Sequence, residues 1–170
     1  MYCPACGHQN KPGSDACTNC MLSLAHLNDS PQGDRIERSL TLETVAALNP
    51  REPVTVQHDS NLGSAIRLMI DCGVGAVLVV EASGELAGIL TERDFLTKVA
   101  GQPGYTALPV REFMTRLPET VAPTDSLAFA LGKMDAGGYR HLPVVENSRP
   151  IGVISVRDIL RHVTRLCQES

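Results

Sequence analysis

Aromatic residues are scarce in this sequence, and tryptophan is absent. Three Phe and three Tyr occur in 170 residues, whereas hydrophobic residues make up 43% of the chain. We therefore expect a real core built from aliphatic side chains. Positive charge is also limited, since 15 Lys and Arg face 19 Asp and Glu, for a net charge of −4. This balance provides no general attraction to nucleic acid or to an anionic membrane.

Long hydrophobic runs and targeting signals are missing as well. The longest apolar stretch, residues 74–80, is far shorter than the roughly 20 residues that a membrane-spanning helix needs. The first residues, Met1-Tyr2-Cys3-Pro4, lack the basic and apolar regions of a secretory signal. We expect a cytoplasmic protein without membrane association. No P-loop, Ser-His-Asp set or pair of catalytic carboxylates stands out, so we expect a protein that is not an enzyme.

Cysteine is concentrated at the N-terminus, where four of the six cysteines lie in the first 20 residues. Cys3, Cys6, Cys17 and Cys20 form a C-x2-C-x10-C-x2-C pattern. Two such pairs supply the tetrahedral shell of four thiolates that suits Zn²⁺. The segment resembles a zinc ribbon, and we expect residues 1–24 to be a small hairpin held together by the ion. Iron in a rubredoxin-like site remains the alternative.

The charge of this segment bears on its partners. Between residues 1 and 27 there is one Lys, Lys11, and no Arg. Contacts with nucleic-acid phosphates need clustered positive charge, so we favour a docking or purely structural role over nucleic-acid binding. Residues 25–38 are polar and contain Pro, Gly and Ser, which predicts a linker and a flexibly tethered ribbon.

A repeated pattern dominates the rest of the chain. Gly-x-x-(Thr/Ser)-x-Arg-Asp occurs at residues 88–94 and again at 152–158, 64 residues apart. Apolar residues upstream repeat at an offset of 65, as Met69 and Met134 do. The chain therefore contains a duplication, with one repeat at 39–102 and the other at 103–168.

Both repeats predict the order β-α-β-β-α, an α/β fold. The first helices are capped near Asp59-Ser60 or Thr124-Asp125 and end at glycines. The predicted strands are 54–56, 76–81 and 86–90 in the first repeat, and 120–121, 141–146 and 151–154 in the second. The last helices begin at Thr91 and Ser155, and their predicted buried residues are Phe95, Leu96, Val99, Ile159, Leu160 and Val163. The preceding segments, 39–48 and 108–115, predict connecting helices.

The repeated motif allows two interpretations. Thr91 with Asp94, and Ser155 with Asp158, fit a capping box at a helix start. The same geometry also suits a nucleoside phosphate. Free N–H groups at the helix start favour an anion, and an Asp one turn later accepts hydrogen bonds from ribose hydroxyls.

Residues 39–168 resemble a tandem pair of CBS domains, also called a Bateman module. The resemblance rests on the two motifs and on the buried strands at 74–80 and 140–145, together with the runs at 112–115 and 120–127. It implies two pseudo-symmetric repeats with two clefts for adenosyl compounds such as AMP, ADP, ATP, S-adenosylmethionine or dinucleotides. It also implies pairing of two modules, so we expect a homodimer that signals ligand occupancy.

The resemblance also assigns residues to the clefts. Asp94 and Asp158 match the ribose-binding aspartates, and Thr91 and Ser155 match the hydroxyls beside them. The adenine pocket is expected at Val56, Val121, Ala76 and Pro143. Phosphate contacts are expected at Arg140 and His141, with Arg93 and Arg157 as weaker candidates.

The clefts are expected to differ. Where the second repeat has Arg140 and His141, the first has Gly75 and Ala76. We therefore expect the second motif to bind an adenine nucleotide more tightly. The competing hypotheses are a scaffold whose CBS pair is merely structural, and a nucleic-acid regulator that acts through the ribbon.

For the remaining cysteine and histidine candidates we expect no catalytic or ligand-binding role. Cys72 is expected to be buried, His58 to be solvated and His162 to lie on the wet face of the last helix.

Overall fold

The computed structural model describes residues 1–25 and 35–168. The helices are α1 (Arg35–Leu42), α2 (Leu62–Cys72), α3 (Glu92–Asp94, continued by π-helical turns over Phe95–Val99), α4 (Leu127–Gly137) and α5 (Val156–Gln168). The strands are β1 (Thr55–Gln57), β2 (Ala76–Val80), β3 (Leu86–Thr91), β4 (Thr115–Arg116), β5 (His141–Glu146) and β6 (Arg149–Ser155). Short 3₁₀ helices span Val45–Leu48, Tyr105–Ala107 and Val110–Glu112. The described residues therefore form the predicted mixed α/β fold.

Strands β1 to β4 form one sheet in that order. β1 runs parallel to β2, whereas β2 with β3 and β3 with β4 are antiparallel. All five residues of β2 are buried, as an apolar strand covered on both faces requires. β5 and β6 form a separate two-stranded sheet.

The first helix of each repeat begins later than predicted. The N-caps are Asn61 and Ser126, whose side chains accept from the N–H groups of Ser64 (2.8 Å) and Phe129 (3.1 Å). Each helix ends at a glycine in the left-handed conformation, Gly73 (φ 61°) or Gly138 (φ 63°).

Each connecting segment packs on the repeat that it does not precede. The N–H of Leu62 donates to the carbonyl of Leu108 at 2.8 Å, and the N–H of Leu127 donates to the carbonyl of Glu43 at 3.0 Å. Both pairs follow the 65-residue offset, so the exchange is symmetric in sequence. The fold consequently divides into two compact units that each draw on both repeats. Among the described residues, one comprises 1–25, 35–50, 121–142 and 154–168, and the other comprises 51–120 and 143–153.

The two units have aliphatic interiors. In the second, Leu62, Val77, Val79, Leu90 and Val110 are fully buried in one cluster that includes one face of β2. The buried residues of the first unit include Val45, Leu127, Ala130, Met134, Leu142, Ile154 and Ile159. The expectation of a core with few aromatic residues is confirmed.

Several local predictions were wrong. Leu96 and Leu160 are 77% and 58% exposed, because they lie one residue beyond the buried face of their helices. Cys72 is exposed at the end of α2. His58 is half-buried, with Nδ1 3.0 Å from a Glu81 carboxylate oxygen, and His162 is buried.

Other predicted elements are shorter or placed differently. The strand at 120–121 is reduced to a single bridge at Val121, and the connecting helices at 45–48 and 110–112 are 3₁₀ turns. Residues 35–38 form the start of α1 rather than a linker, and residues 26–34 lie outside the described part of the chain. Among the described residues, no helix combines the length and the apolar character that crossing a bilayer requires.

Candidate functional sites

The four N-terminal cysteines converge on one point. Their sulfur atoms all lie within 4.8 Å of one another. The Cys3 and Cys20 sulfurs are 3.5 Å apart, and those of Cys6 and Cys17 are 3.6 Å apart. A tetrahedral ion with bonds of about 2.3 Å needs sulfurs about 3.8 Å apart, so the cluster fits four-thiolate coordination.

Two similar turns position these thiols. In the first, the N–H of Gly7 donates to the carbonyl of Cys3, and in the second the N–H of Met21 donates to the carbonyl of Cys17, both at 2.9 Å. Gly7 has a φ of 69° and Met21 a φ of 61°. The second turn therefore adopts the left-handed conformation without a glycine, which costs roughly 1 kcal/mol and points to a turn fixed by its surroundings.

The protein environment favours the thiolate form of Cys17. Burial disfavours its charge, but the N–H groups of Cys20 and Asn19 and the side chain of Asn10 outweigh it. Together they lower the pKa of the Cys17 thiol to about 6. A metal ion would supply the positive charge that lets four adjacent thiols deprotonate together.

The cysteine segment packs on helix α4 within its own unit. A Cβ added to Gly7 would lie 3.4 Å from the ring of Phe129, and one added to Gly132 would lie 3.6 Å from the carbonyl oxygen of Pro4. Lys133 also holds its ammonium group 5.1 Å from the centre of the Phe129 ring. The flexible tether predicted for this segment is therefore wrong for residues 1–25, which have a docked position.

The motif of the first repeat forms a closed hydrogen-bonded turn. One carboxylate oxygen of Asp94, Oδ2, accepts from the Thr91 N–H at 2.9 Å and from its hydroxyl at 2.7 Å. The other oxygen, Oδ1, lies 2.7 Å from the ammonium nitrogen of Lys98. Burial opposes the charge on Asp94, but Lys98 and Thr91 outweigh it and hold the pKa of Asp94 below its usual 3.8.

The motif of the second repeat has the same inner geometry and a more open outer side. Asp158 Oδ2 accepts from the Ser155 N–H at 2.8 Å and from its hydroxyl at 2.6 Å. Asp158 Oδ1 is 3.3 Å from the guanidinium of Arg161, whose side chain is 60% exposed. The capping box expected from the sequence is thus present in the first repeat, and the second repeat shows the bond from the Ser155 N–H to the Asp158 carboxylate that forms one half of it.

A small polar cavity of about 60 Å³ adjoins Asp158. It lies between α5 and the C-terminal end of the first 3₁₀ helix, at Ala47, Leu48 and Asn49. Its polar lining consists of Asn49, Asp158, Arg161, His162 and Arg165. Several cationic or hydrogen-bond-donating groups therefore lie beside the second aspartate, all within one compact unit.

Each motif is hydrogen-bonded to the residue just before β2 or β5 in the same way. The N–H of Glu92 donates to the carbonyl of Gly75, and the N–H of Val156 donates to the carbonyl of Arg140, both at 3.1 Å. Arg140 is exposed at this junction, and the next residue, His141, is half-buried at the start of β5. The backbone of Arg140 is therefore next to the Ser155 motif, as the proposed phosphate contact requires.

The other predicted site residues divide into buried and exposed positions. Val56, Val121, Ala76 and Pro143 are buried, while Arg93 and Arg157 are exposed on the first turns of their helices. Ala76 faces Thr91 directly across the β2–β3 pair. Ala76 and Thr91 are therefore brought together in the first repeat.

The repeated glycine has a steric cause in the first motif. A Cβ on Gly88 would lie 2.6 Å from the Met114 sulfur and 2.8 Å from the Thr115 carbonyl oxygen. Any side chain there would push β3 away from β4. The motif therefore contains glycine because the next strand approaches closely.

Sequence reasoning missed Lys98 and the partners of His162. Lys98 lies one helical turn after Asp94, a spacing that signals an ion pair. His162 Nε2 lies 2.7 Å from the hydroxyl of Ser39, 123 residues away in sequence, and that hydroxyl donates to Glu43 at 2.7 Å. No local pattern could have joined residues so distant in the chain.

Comparison with known proteins shows what the repeated part of the chain resembles. The sequence matches the CBS domain family twice, over residues 45–101 and 110–165. It is 38% identical over 118 residues to the CBS domain-containing protein CBSCBSPB5 of Arabidopsis thaliana. That match covers 69% of this chain and 22% of the plant protein, so the chain spans about a fifth of that relative's length.

Solved structures share the fold of the pair. The CBS-domain containing protein ATU1752 from Agrobacterium tumefaciens is 33% identical with a TM-score of 0.63, over 69% of this chain and 88% of that one. The CBS domain pair of MJ0100, in complex with 5′-methylthioadenosine and S-adenosyl-L-methionine, is 22% identical with a TM-score of 0.66, over 72% and 97%. CBSX2 in complex with AMP is 20% identical with a TM-score of 0.62, over 73% and 98%. At such identities the last two show the fold alone.

Proposed function

Because this chain belongs to the CBS-domain family, we propose that it is a non-enzymatic sensor whose CBS pair binds an adenosyl ligand. Ligand occupancy is passed to a partner protein or to the protein's own oligomer, a homodimer being the expected form. The observation that carries the proposal is the strand-to-helix junction at Ser155 and Asp158. There, an aspartate with an accessible oxygen adjoins a cavity that Arg161 and Arg165 line.

The chemistry of this junction suits a nucleoside with a negatively charged tail. Asp158 Oδ1 would accept from ribose hydroxyls, and the first N–H groups of α5 favour an anion. Arg161, His162 and Arg165 line the cavity beside Asp158, and the Arg140 carbonyl accepts from the Val156 N–H at the junction. AMP, ADP or ATP therefore fits better than an uncharged nucleoside. The complexes of MJ0100 and CBSX2 with adenosyl compounds support this ligand class.

Occupancy transmits a signal only if the ligand binds one arrangement of the protein better than another. The first connecting segment, 39–48, with the residue after it offers a route for the signal. The Glu43 carbonyl accepts from the Leu127 N–H at the start of α4, while Ala47 and Asn49 border the cavity beside Asp158. A ligand in that cavity would therefore contact the same segment that is hydrogen-bonded to the first helix of the second repeat.

The proposal includes a structural Zn²⁺ bound by Cys3, Cys6, Cys17 and Cys20, with iron as the less favoured ion. Four protein thiolates leave no open coordination position, so the metal would stabilise the ribbon rather than react. The docked ribbon would present a surface to a protein partner. The domains proposed are a ribbon at 1–24 and CBS domains at 39–102 and 103–168.

A thermal-shift titration of the zinc-loaded protein tests the ligand. AMP, ADP, ATP, S-adenosylmethionine and NADH are each added to the wild type, Asp158→Ala and Asp94→Ala. A ligand at a hundredfold excess over its dissociation constant stabilises the folded state by about 2.7 kcal/mol. We expect a saturable shift for an adenine nucleotide that Asp158→Ala abolishes and Asp94→Ala largely preserves. Equal losses in the two variants would contradict the asymmetry.

The second candidate function is an interaction scaffold. One observation favours it: the inner carboxylate oxygens of Asp94 and Asp158 already take two hydrogen bonds each within the chain. Absence of any shift in the titration would support the scaffold and overturn the sensor.

A further inference from the structure

Lys98 holds the outer oxygen of the first motif's aspartate. Its ammonium nitrogen lies 2.7 Å from Asp94 Oδ1 and 2.9 Å from the carbonyl oxygen of Phe113. Since Thr91 already donates twice to Oδ2, both oxygens of Asp94 have partners inside the chain. The Asp94 side chain is only 10% exposed, whereas the Lys98 side chain is 41% exposed.

The equivalent position in the second repeat behaves differently. Lys98 and His162 are 64 residues apart, as Asp94 and Asp158 are. His162 directs Nε2 to the hydroxyl of Ser39 at 2.7 Å. Asp158 Oδ1 is left with the longer 3.3 Å contact to Arg161, and the Asp158 side chain is 24% exposed.

We infer that Lys98 is a built-in occupant of the first ribose site, so each chain takes one adenosyl ligand, at Asp158. This inference rests on the proposed function and specifies its stoichiometry. The ammonium group of Lys98 stands where the hydroxyls of a ribose would approach Asp94. Because Lys98 is part of the same chain, its ammonium group competes with a ribose for Asp94 at a high effective concentration.

The chemistry of the two contacts explains why ribose displaces one cation and not the other. A ribose offers neutral hydroxyls, which form weaker hydrogen bonds with a carboxylate than an ammonium group does. Displacing Lys98 would remove the counter-charge of a buried carboxylate and also orphan the Phe113 carbonyl. Displacing Arg161 loses only a long, solvent-exposed ion pair, which contributes little.

The test measures AMP binding to the full-length, metal-loaded protein by isothermal titration calorimetry. The variants are Asp158→Ala, Lys98→Met, the double variant Asp158→Ala/Lys98→Met, and Asp158→Ala/Lys98→Arg. Methionine replaces the apolar part of the Lys98 side chain and lacks its ammonium group. Arginine retains the cation and is the matched control. Circular dichroism melts verify folding, and Lys98→Ala replaces Lys98→Met if the latter fails to fold.

The expected result is a gain of binding. The wild type binds one AMP per chain, Asp158→Ala binds none, and the double variant with Met binds one again, whereas the double variant with Arg binds none. Lys98→Met alone binds two.

Other outcomes separate this inference from the proposed function. Binding by the wild type with no recovery in the double variant would overturn the role of Lys98 and leave the sensor intact, as would AMP binding by Asp158→Ala alone. Binding by Lys98→Met but not by the wild type would uphold the role of Lys98 and overturn Asp158 as the site. No binding of AMP by any variant would overturn this inference and exclude AMP as the ligand, whereas the sensor itself is overturned only if all five compounds fail in the thermal-shift titration.

Discussion

Gly7 lies against the ring of Phe129, so closely that a first side-chain carbon on Gly7 would be 3.4 Å from the ring. Gly7 belongs to a turn that positions the cysteine sulfurs, and Phe129 belongs to helix α4. The cysteine segment and the second repeat therefore share a packed contact. Unfolding of the cysteine segment should therefore remove a packing contact from helix α4.

Replacing Phe129 by Ala should cost roughly 1.5–2.5 kcal/mol in the metal-loaded protein, half the cost of deleting a fully buried Phe. In metal-stripped protein the cost should be smaller, because the segment that packs on the ring would no longer be folded. Urea unfolding with and without a chelator measures both values. An equal cost in the two states would show that the contact is independent of the metal.

Replacing Cys17 by Ser should abolish stoichiometric metal binding, because three thiolates and a hydroxyl bind Zn²⁺ far less well than four thiolates. Cys72→Ser is the matched control, since Cys72 is exposed and far from the cluster in sequence. Elemental analysis of the purified proteins gives the metal and its ratio to protein. A red, iron-containing protein would replace zinc by iron in the proposal, and full zinc occupancy of the Cys17 variant would contradict the four-cysteine site.

Replacing Asp94 by Asn should make the protein less stable at neutral pH by roughly 1–3 kcal/mol, because Lys98 and Thr91 lose a charged partner. The pKa of Asp94 is held below 3.8 in the folded protein, so its charge stabilises the fold above that pH. The stabilisation is lost as the pH falls through the folded pKa. The difference in unfolding free energy between wild type and variant should therefore shrink below about pH 4.

This difference is best obtained from urea melts of both proteins from pH 7 to pH 2.5. Taking the difference at each pH cancels the acid release of metal, which affects both proteins alike. A difference that stays constant over the range would show that the charge of Asp94 does not contribute.

Replacing Ser39 by Ala should destabilise the fold by roughly 1–3 kcal/mol, because buried His162 loses its 2.7 Å hydrogen-bond partner and keeps only the 3.5 Å contact with the Glu43 carboxylate. Thr41→Ala on the same helix is the control, since the Thr41 hydroxyl only donates to the carbonyl of Glu37 at an exposed site. Thermal unfolding compares the two variants. Equal melting temperatures would mean that the Ser39–His162 contact adds nothing to stability.

Local signals predicted much of this fold. The duplication was visible because Gly88, Thr91 and Asp94 recur with the same spacing, and the double match to the CBS family confirms it. The buried strand β2 was predictable from an unbroken apolar run, and the helix ends from glycines at Gly73 and Gly138. The strand and the helix ends depend on neighbouring residues only, and the duplication is visible from the sequence alone.

The errors arose where distant residues decide. Asp59, Ser60 and Asn61 are all good N-caps, and the sequence gives no reason to prefer Asn61. The selection fits the pairing of Leu62 with Leu108, which fixes where α2 begins. The burial of His162 likewise depends on Ser39, and the exchange of connectors joins segments about 65 residues apart. For the site, the sequence identified both aspartates but not the difference that Lys98 makes between them.

The exchange of connectors has an evolutionary consequence. Each repeat receives the backbone partner for its first helix from the segment that precedes the other repeat, as Glu43 serves Leu127 and Leu108 serves Leu62. In an ancestor with a single repeat, the first helix would thus have found this backbone partner only in a dimer. Each molecule would have packed its connecting segment on the other. Fusion of two gene copies would keep the exchange of segments within one molecule. The two halves could then diverge at positions such as Lys98 and His162.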